Sequence, residues 1–391
     1  MPIAPTDPVR PLRIALAVPG TFHALSLAEA LCRQGHEVHV WTTHPVAGDR
    51  PFALTADAVR GLSLRALSRL GLAARPPIEA LIHRGFGAWA AARIRRGRWD
   101  VVHAWSGVAE EIFTGHLPGQ PLRLLMRGSS HIRVQRRLLE EEGRRCGLGI
   151  DRPSDWMTAR EVREYGIADR IRVLSLFARQ SFLSEAVPES RVRLLPSGLP
   201  PVRHDPSAAQ ARSERILSGG PLTVLFCGSL LYRKGLYDLE RIAAALAGPR
   251  MRFVAVGPPT PESGPFLRRT RATIVHTGAL HGQALEAAYR EADVFFFPTI
   301  EDGFPQTVAH AVALGVPTLT TSHGNGPDLI EEGLNGWVLP ARATADFIET
   351  LSRCAEDRPT LARMALYRSL RLTNYDWDVC ARRFADDCLG A

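Results

Sequence analysis

The sequence predicts an α/β protein of two tandem halves, each with a parallel sheet covered by helices. A chain of 391 residues is longer than one typical hydrophobic core accommodates. Short apolar runs alternate with stretches of helical periodicity along the chain, which is typical of buried parallel strands connected by helices. A stretch rich in Pro, Ser, Ala and Gly at 196–220 separates the two series and indicates a linker.

The first half, residues 1–199, opens with a βαβ unit. A strand at 12–18 is followed by a turn around Gly20, a helix, and a second strand at 37–42. The spacing GxGxxG is absent, so a dinucleotide-binding motif is not supported, and Gly20 instead allows a substrate to approach the backbone closely. We interpret His36, at the end of the helix, as a structural residue.

Two further buried strands of this half, at 100–104 and 122–126, are followed by small or polar residues. Their loops are expected to open at the same sheet edge as Gly20, where ligands bind in α/β sheets. The polar residues of these loops are our candidates for an acceptor site: Thr21, His23, Ser106, Ser129 and His131. For the serines two interpretations stay open, because Ser129 or Ser130 would equally serve as the cap of the next helix.

Composition and targeting signals indicate an ordinary globular protein, with 23% charged and 45% hydrophobic residues. The first apolar run, 14–18, is broken by Pro19 and Gly20, and no segment is long enough to span a bilayer. We therefore expect a cytoplasmic protein. The six cysteines lack CxxC or Cys/His spacing, so the sequence predicts neither a zinc site nor a disulfide framework.

The formal net charge of +8 is concentrated in one segment. Between Arg60 and Arg98 there are nine arginines and one acid, Glu79, interleaved with leucines and other apolar residues. Such an amphipathic basic surface is typical of proteins that bind anionic lipid headgroups. We expect no nucleic-acid partner, and an ordinary solvated helical face remains an equal alternative to the membrane contact.

The second half, predicted for 221–372, carries its most informative stretch between 293 and 321. A buried strand leads into an acidic, glycine-containing loop, and a helix starts near Pro305. The free amides of the first helical turn and the helix dipole favour an anion at this point. Asp302 and His310 add side chains able to bond sugar hydroxyls.

The single lysine of the chain lies in another loop of the second half. Among 48 Lys and Arg residues, only Lys234 is a lysine. Because the chain otherwise uses arginine, its retention here indicates a need for a compact ammonium, as when a lysine reaches a phosphate through a tight loop.

The stretch around Asp302 and His310 resembles the nucleotide-sugar motif of family-4 retaining glycosyltransferases. The resemblance is carried by Pro298, Thr299, Asp302, Gly303, Phe304, His310, Ala311, Gly315, Val316 and Pro317. In that family Glu stands at the positions of Asp302 and His310. The run 161–199 and the Gly-His-Glu-Val sequence at 35–38 resemble the first domain of the same family.

The resemblance implies the GT-B fold, in which two Rossmann-like domains face each other across a cleft. It implies that residues 373–391 form a helix returning to the first domain, with 200–220 as the linker. The implied activity is transfer of a sugar, with retention and without a metal or other cofactor, from a nucleotide-diphosphate sugar to a glycan, lipid-linked or other hydroxyl acceptor. Cell-envelope or polysaccharide biosynthesis, in the cytoplasm or at the inner membrane face, is the implied setting.

The resemblance also assigns roles to residues of this chain. The implied donor-binding residues are Gly20, Gly228, Ser229, Arg233, Lys234, Gly257, Gly278, Glu301, Asp302, Gly303, Phe304, Pro305, Gln306, Thr307, Val308 and His310. The catalytic candidates are Asp302, Lys234, Arg233, His131 and Arg127, and no metal ligand is predicted.

Two departures from the family pattern leave alternatives open. Ser229 stands where relatives have Arg, so Arg233 is expected to supply the guanidinium, and His310 replaces the Glu that holds the ribose. A non-catalytic nucleotide-sugar-binding or scaffold subunit is therefore the main alternative. A hydrolase or epimerase acting on a sugar nucleotide ranks third.

Overall fold

The computed structural model describes residues 10–46, 48–69, 76–199 and 205–390. Within these ranges the chain forms two parallel sheets with flanking helices, as the sequence predicts. We call residues 10–199 the N-terminal half and residues 205–390 the C-terminal half.

The described part of the N-terminal half contains a seven-stranded parallel sheet. Its strands are β1 Arg13–Val18, β2 Glu37–Thr42, β3 Ala53–Ala56, β4 Val101–Trp105, β5 Leu122–Met126, β6 Arg170–Val173 and β7 Val192–Leu194. Its helices are α1 Ala24–Arg33, α2 Ala58–Arg69, α3 Pro76–Ile94, α4 Glu110–Phe113, α5 Ile132–Cys146, α6 Asp155–Ile167 and α7 Leu176–Ser184. The spatial order of the strands is β3-β2-β1-β4-β5-β6-β7.

The described part of the C-terminal half contains a six-stranded sheet in the order β10-β9-β8-β11-β12-β13. Its strands are β8 Leu222–Cys227, β9 Met251–Val256, β10 Ile274–Gly278, β11 Val294–Phe297, β12 Thr318–Thr321 and β13 Gly336–Leu339. Its helices are α8 Pro206–Leu217, α9 Leu236–Leu246, α10 Gly264–Arg269, α11 Gly282–Glu291, α12 Gln306–Ala313, α13 Gly326–Leu329, α14 Thr344–Glu356, α15 Arg358–Leu366 and α16 Trp377–Leu389.

The strand order fixes where a ligand can bind. In the first sheet the order reverses between β1 and β4, and in the second it reverses between β8 and β11. The connections leave the sheet on opposite faces at such a point, which opens a crevice beyond the carboxyl ends of the two strands. Each half therefore has one crevice at its sheet edge.

The C-terminal helix α16 packs on the N-terminal half, as predicted. Arg33 of α1 forms an ion pair with Asp378 at 2.6 Å, and the Gln34 side chain donates to the Asp378 carbonyl at 2.6 Å. At the other end of α16, Asp387 pairs with Arg170 at 3.1 Å. These contacts hold the end of the chain against the first sheet.

The predicted linker, 200–220, contains a helix. Residues 200–204 lie outside the described residues, but α8 occupies most of the remainder and packs against the C-terminal half. Asp205 caps this helix by accepting from the amides of Ser207 and Ala208, and Pro206 takes its first position. The Pro and Ser that look like linker composition are thus a helix start signal.

Three further observations concern His36, the cysteines and the length and polarity of the helices. His36 is buried and its Nδ1 accepts a hydrogen bond from the Leu12 amide at 3.1 Å, which confirms a structural role. All six cysteines are free thiols in this structure. Every helix in the described ranges is too short or too polar to cross a lipid bilayer.

Candidate functional site

The two crevices face each other and enclose a cleft of about 970 Å³ between the halves. The N-terminal half contributes Pro19, Phe22, His23, Trp105, Ser106, Arg127, Gly128 and Ser129, among others. The C-terminal half contributes Arg233, Asp302, Phe304, Gln306 and Trp377. Most of these lining residues come from the loops after β1, β4, β5, β8 and β11, and four of these strands, β1, β4, β8 and β11, lie beside the two reversals of strand order.

Glu301 joins the two halves next to Arg233 of the cleft lining. Its side chain is fully buried, and Oε1 accepts from both the amide and the hydroxyl of Ser130 at 2.9 Å. Its Oε2 accepts from Gln135 at 2.9 Å and from Arg233 at 3.1 Å. Both oxygens of this predicted donor-binding residue are therefore committed to protein groups from both halves.

Lys234 and Asp302 form an ion pair, and each is the chain neighbour of a member of the Arg233–Glu301 pair. Burial lowers the pKa of Lys234, although the Asp302 carboxylate opposes this effect. For Asp302, burial raises the pKa, but Lys234 and Arg233 outweigh it, so the pKa of the carboxyl is lowered overall. The pair places the side chains of one lysine and one aspartate in the loops that follow β8 and β11.

Three glycines lie at the carboxyl ends of neighbouring strands in the second sheet. Gly228, Gly257 and Gly278 lie at the ends of β8, β9 and β10, which are neighbours in the sheet. A Cβ on Gly257 would overlap the carbonyl of Gly228, so only glycine fits there. The amide of Gly257 donates to the carbonyl of Gly278 at 2.9 Å. Glycine at position 257 therefore lets the ends of β8 and β9 pack closely beside Ser229.

The start of α12 points at the same region. Pro305 stands at the N-cap position and offers no capping side chain, so the amides of Gln306 and Thr307 remain for a ligand. His310 lies one turn further, with its ring 4.6 Å from that of Tyr289. Burial lowers the pKa of His310, and its Nε2 atom is buried without a hydrogen-bond partner among the described residues.

Of the five predicted acceptor residues, the structure brings three to the cleft. His23, Ser106 and Ser129 line it, whereas Thr21 and His131 are not among its lining residues. His23 is neutral, because burial and then Arg172 lower its pKa to about 3. Its Nε2 atom has no hydrogen-bond partner in the described chain.

His131 has a structural environment instead. It caps α5, since its Nδ1 accepts from the Arg133 amide at 3.3 Å, whereas the sequence left this role open for Ser129 or Ser130. Its ring packs against Tyr165 and Phe182, with centroids 4.8 and 5.0 Å away. Burial, followed by nearby arginines, lowers the pKa of His131 to about 3.

Arg127 lines the cleft but is tied to its own half. It pairs with Glu161 at 3.1 Å and donates to the Ser130 carbonyl at 3.1 Å and to Gln135 Oε1 at 2.7 Å. Since Gln135 also binds Glu301, a chain of buried polar contacts runs from Glu161 to the C-terminal half. Sequence reasoning missed Gln135, whose only signal is its position one helical turn after His131.

The described residues include no group of three or more His, Cys, Asp or Glu side chains arranged to hold a metal ion. The positive charge near the cleft comes from Arg233, Lys234 and the N-terminal start of α12.

Two family profiles match most of the chain. The profile described as Glycosyltransferase Family 4 matches residues 20–203, and the profile described as Glycosyl transferases group 1 matches residues 221–357. The chain belongs to glycosyltransferase family 4. The boundary between the two matches falls within the segment that separates the two sheets.

Curated relatives of this family-4 protein differ in their printed activities. A GDP-mannose-dependent alpha-mannosyltransferase of Mycolicibacterium smegmatis is 32% identical over 49% of this chain, and the match spans about half of that relative (49%). A D-inositol 3-phosphate glycosyltransferase of Nocardia farcinica is 27% identical over 94% of this chain and 87% of the relative.

Solved structures share the fold of this family-4 protein. Anabaena HepE in complex with UDP and glucose has a TM-score of 0.68 at 13% identity, covering 97% of this chain and 100% of that one. Sucrose-phosphate synthase from Thermosynechococcus elongatus has a TM-score of 0.70 at 18% identity, covering 96% and 98%. The fold is GT-B, with two Rossmann-like halves and a returning C-terminal helix.

Proposed function

We propose that this family-4 protein transfers a sugar from a nucleotide-diphosphate sugar to a hydroxyl group of an acceptor. The observation that carries the proposal is the convergence of Lys234, Arg233 and the uncapped start of α12 on Asp302, at the crevice of the second sheet. Cations and free amides suit a diphosphate, and a carboxylate suits sugar hydroxyls. The M. smegmatis relative, named for GDP-mannose, supports this class of donor.

The donor fits the C-terminal half in one orientation. The diphosphate lies over Gly228 and against the amides of Gln306 and Thr307, within reach of Lys234. Further along α12, the imidazole of His310 takes one ribose hydroxyl. The transferred sugar then lies towards Asp302 and the cleft.

The chemistry requires stabilisation of the leaving group. Negative charge builds on the β-phosphate oxygen as the glycosidic bond breaks, and groups already aimed at that oxygen lower the barrier. Lys234, Arg233 and the α12 dipole supply positive charge from the protein itself. We therefore propose that transfer proceeds without a metal ion.

We propose that the anomeric configuration is retained. Attack from the opposite face needs a free general base on the acceptor side. The pKa of His23 is lowered to about 3, and the carboxylates of Glu161 and Asp302 are each held by a cation. A departing phosphate oxygen on the same face as the acceptor hydroxyl can accept its proton instead.

We propose that the acceptor is a glycan, free or lipid-linked, and that the enzyme meets it at a membrane surface. Relatives of this chain include a putative colanic acid biosynthesis glycosyltransferase of Salmonella typhimurium, 29% identical over 36% of this chain, which supports a polysaccharide pathway. The segment from Arg60 to Arg98 would supply the membrane contact. Part of it, residues 70–75, lies outside the described residues.

Calorimetric titration with a panel of UDP-, GDP- and ADP-sugars tests the donor site. We expect one nucleotide class to bind in the presence of EDTA, and binding to be weakened in Lys234→Ala. If no member of the panel binds to the folded protein, the proposed function is wrong.

The non-catalytic alternative draws on Ser229 and His310, which replace two polar groups that relatives use. It predicts the same calorimetric binding but no turnover with any acceptor. Product formation would exclude it, so binding and turnover are measured on the same preparation.

A further inference from the structure

Phe22 has an unusual position for a large apolar residue. It follows β1 in the loop at the sheet edge, and 69% of its surface is exposed to solvent. Its φ angle of +38° lies in a region that bulky side chains rarely adopt. Strained, exposed residues persist where the surrounding structure imposes them, and they occur most often at ligand sites.

The Phe22 ring lines the cleft together with Trp105 and Trp377. These residues come from the loop after β1, the end of β4 and the start of α16. Two glycines leave space for two of these rings. A Cβ on Gly20 would lie 3.1 Å from the Phe22 ring, and a Cβ on Gly198 would overlap the Trp377 ring. The acceptor side of the cleft therefore has aromatic walls from three parts of the chain.

The arginines of the cleft lining already have carboxylate partners. Arg33 pairs with Asp378 at 2.6 Å, and Arg233 pairs with Glu301 at 3.1 Å. Arg127 is paired with Glu161. In the described lining, Arg233 is assigned to the donor diphosphate and each of the other two arginines is paired with a carboxylate, whereas three serines supply hydroxyl groups: Ser26, Ser106 and Ser129.

We propose that Phe22 is the stacking platform for the acceptor and that the acceptor group bound there is a neutral sugar. The C–H face of a pyranose ring packs on an aromatic face, while its hydroxyl edge needs uncharged hydrogen-bond partners. Trp105 and Trp377 enclose the sugar from the sides. This inference rests on the proposed function, because it assigns the acceptor class of the same cleft.

The test compares Phe22→Asn with Phe22→Trp. Asparagine tolerates positive φ, so Phe22→Asn should fold with unchanged or higher thermal stability. It should weaken binding of methyl glycosides on the order of tenfold, the size expected for loss of one stacked ring. Phe22→Trp keeps an aromatic ring and should bind methyl glycosides as the parent does. The affinity for the nucleotide sugar should stay unchanged in both variants.

Ala186→Gly is the matched control, since Ala186 also has positive φ, at +60°, but lies outside the cleft lining. It should relieve strain without changing glycoside binding. Binding is measured by saturation-transfer NMR with methyl glucoside, methyl galactoside and methyl mannoside, and with the matching sugar 6-phosphates.

Three results would overturn the inference: binding unchanged in Phe22→Asn, tighter binding of the sugar phosphates, or no binding of any glycoside to the parent protein. The NMR measurement needs no turnover. If the proposed function fails, the parent neither binds nor uses a nucleotide sugar, whereas failure of this inference leaves donor binding intact.

Discussion

Lys234 is buried against Asp302, with its ammonium 5.9 Å from the centre of the Phe297 ring. We expect Lys234→Ala to lower turnover at saturating donor at least 10- to 100-fold, because a charge-assisted contact is worth about 1.5–3 kcal/mol and charge grows in the transition state. Initial rates across a donor titration measure this change.

The control for Lys234→Ala is Arg269→Ala, which removes a cation paired with Glu240 on the surface of the same half. It should leave the rate unchanged. Circular dichroism must show that Lys234→Ala is folded, since the change leaves the Asp302 carboxylate without its partner. A parent-like rate in the folded variant would refute the assigned role.

At the scale of single residues, the sequence identifies individual candidate residues of the site better than it predicts the contacts between them. Asp302 and Lys234 stand out because of their motif and because the chain has one lysine. The partners of Glu301 do not, since Ser130 and Gln135 lie 171 and 166 residues away in the sequence. His131 was assigned to the acceptor site because it follows β5, but its ring faces the core.

At the scale of elements, the loop after β11 presses on the loop after β5. A Cβ on Gly303 would overlap the Gly128 carbonyl and lie 2.7 Å from Cα of Ser129. We expect Gly303→Ala to force the halves apart, which would lower the free energy of unfolding by about 1–3 kcal/mol, typical of overpacking, and reduce turnover. Denaturant unfolding and initial rates measure the two effects.

Gly248→Ala is the matched control, because a Cβ at Gly248 meets no atom within 4 Å. Its stability and turnover should equal those of the parent. Parent-like behaviour of Gly303→Ala itself would mean that the two loops do not maintain this close approach.

Helices α2 and α3 test the membrane proposal. Leu62 and Leu81 are 60% and 71% exposed, although neighbouring Phe86 and Ile94 belong to the core. We expect sedimentation with anionic vesicles at low salt, since each basic residue near such a surface contributes about 1 kcal/mol. Raising the salt concentration should weaken binding, because screening shortens the reach of these charges.

The variant Leu62→Gln with Leu81→Gln should sediment less than the parent. Leu217→Gln is the control, since Leu217 is exposed on α8 in the other half. If the parent does not sediment at low salt, the segment is a solvated face, as the alternative interpretation holds.

Most strands were predictable because a buried parallel strand reads as a short apolar run. The segment at 200–220 was not, since Asp205 and Pro206 belong equally to turns and to helix starts. The packing of α8 on the C-terminal half distinguishes a helix start from a turn at these residues. In that packing, the buried Arg212 side chain donates to the carbonyls of Ala292 and Gly315. Such long-range contacts carry no local signal.

At the scale of the whole molecule, buried neutral histidines predict acid sensitivity. Burial is the main cause that lowers the pKa of each member of this group: His23 to about 3, His83 to about 4, His131 to about 3 and His103 well below its usual range. The unfolded chain binds protons on these groups near pH 6.5, and the folded chain does not. Stability should therefore fall as the pH falls from about 6.5 towards 4.

The expected slope is up to about 1.4 kcal/mol per pH unit for each proton taken up on unfolding. Two buried acids oppose it, because burial raises the pKa of Asp328 to about 7 and of Glu164 to about 8. Guanidinium unfolding between pH 4.5 and 7 measures the net effect, and we expect the histidines to dominate.

His83→Asn tests this assignment. It keeps a donor for the Gly107 carbonyl, which His83 Nδ1 contacts at 2.9 Å, but it does not titrate. The variant should show a shallower loss of stability on acidification. Stability of the parent that does not change with pH in this range would contradict the account.

The most direct test of the central claim is the product of one reaction. The parent protein is incubated in EDTA with the nucleotide sugar that binds tightest and with a glycan acceptor, and proton NMR follows the anomeric signals. We expect transfer in which the new glycosidic bond keeps the anomeric configuration of the donor, with release of the nucleoside diphosphate. Inversion, or absence of any transfer by protein that binds the donor, would contradict the proposed glycosyltransferase mechanism.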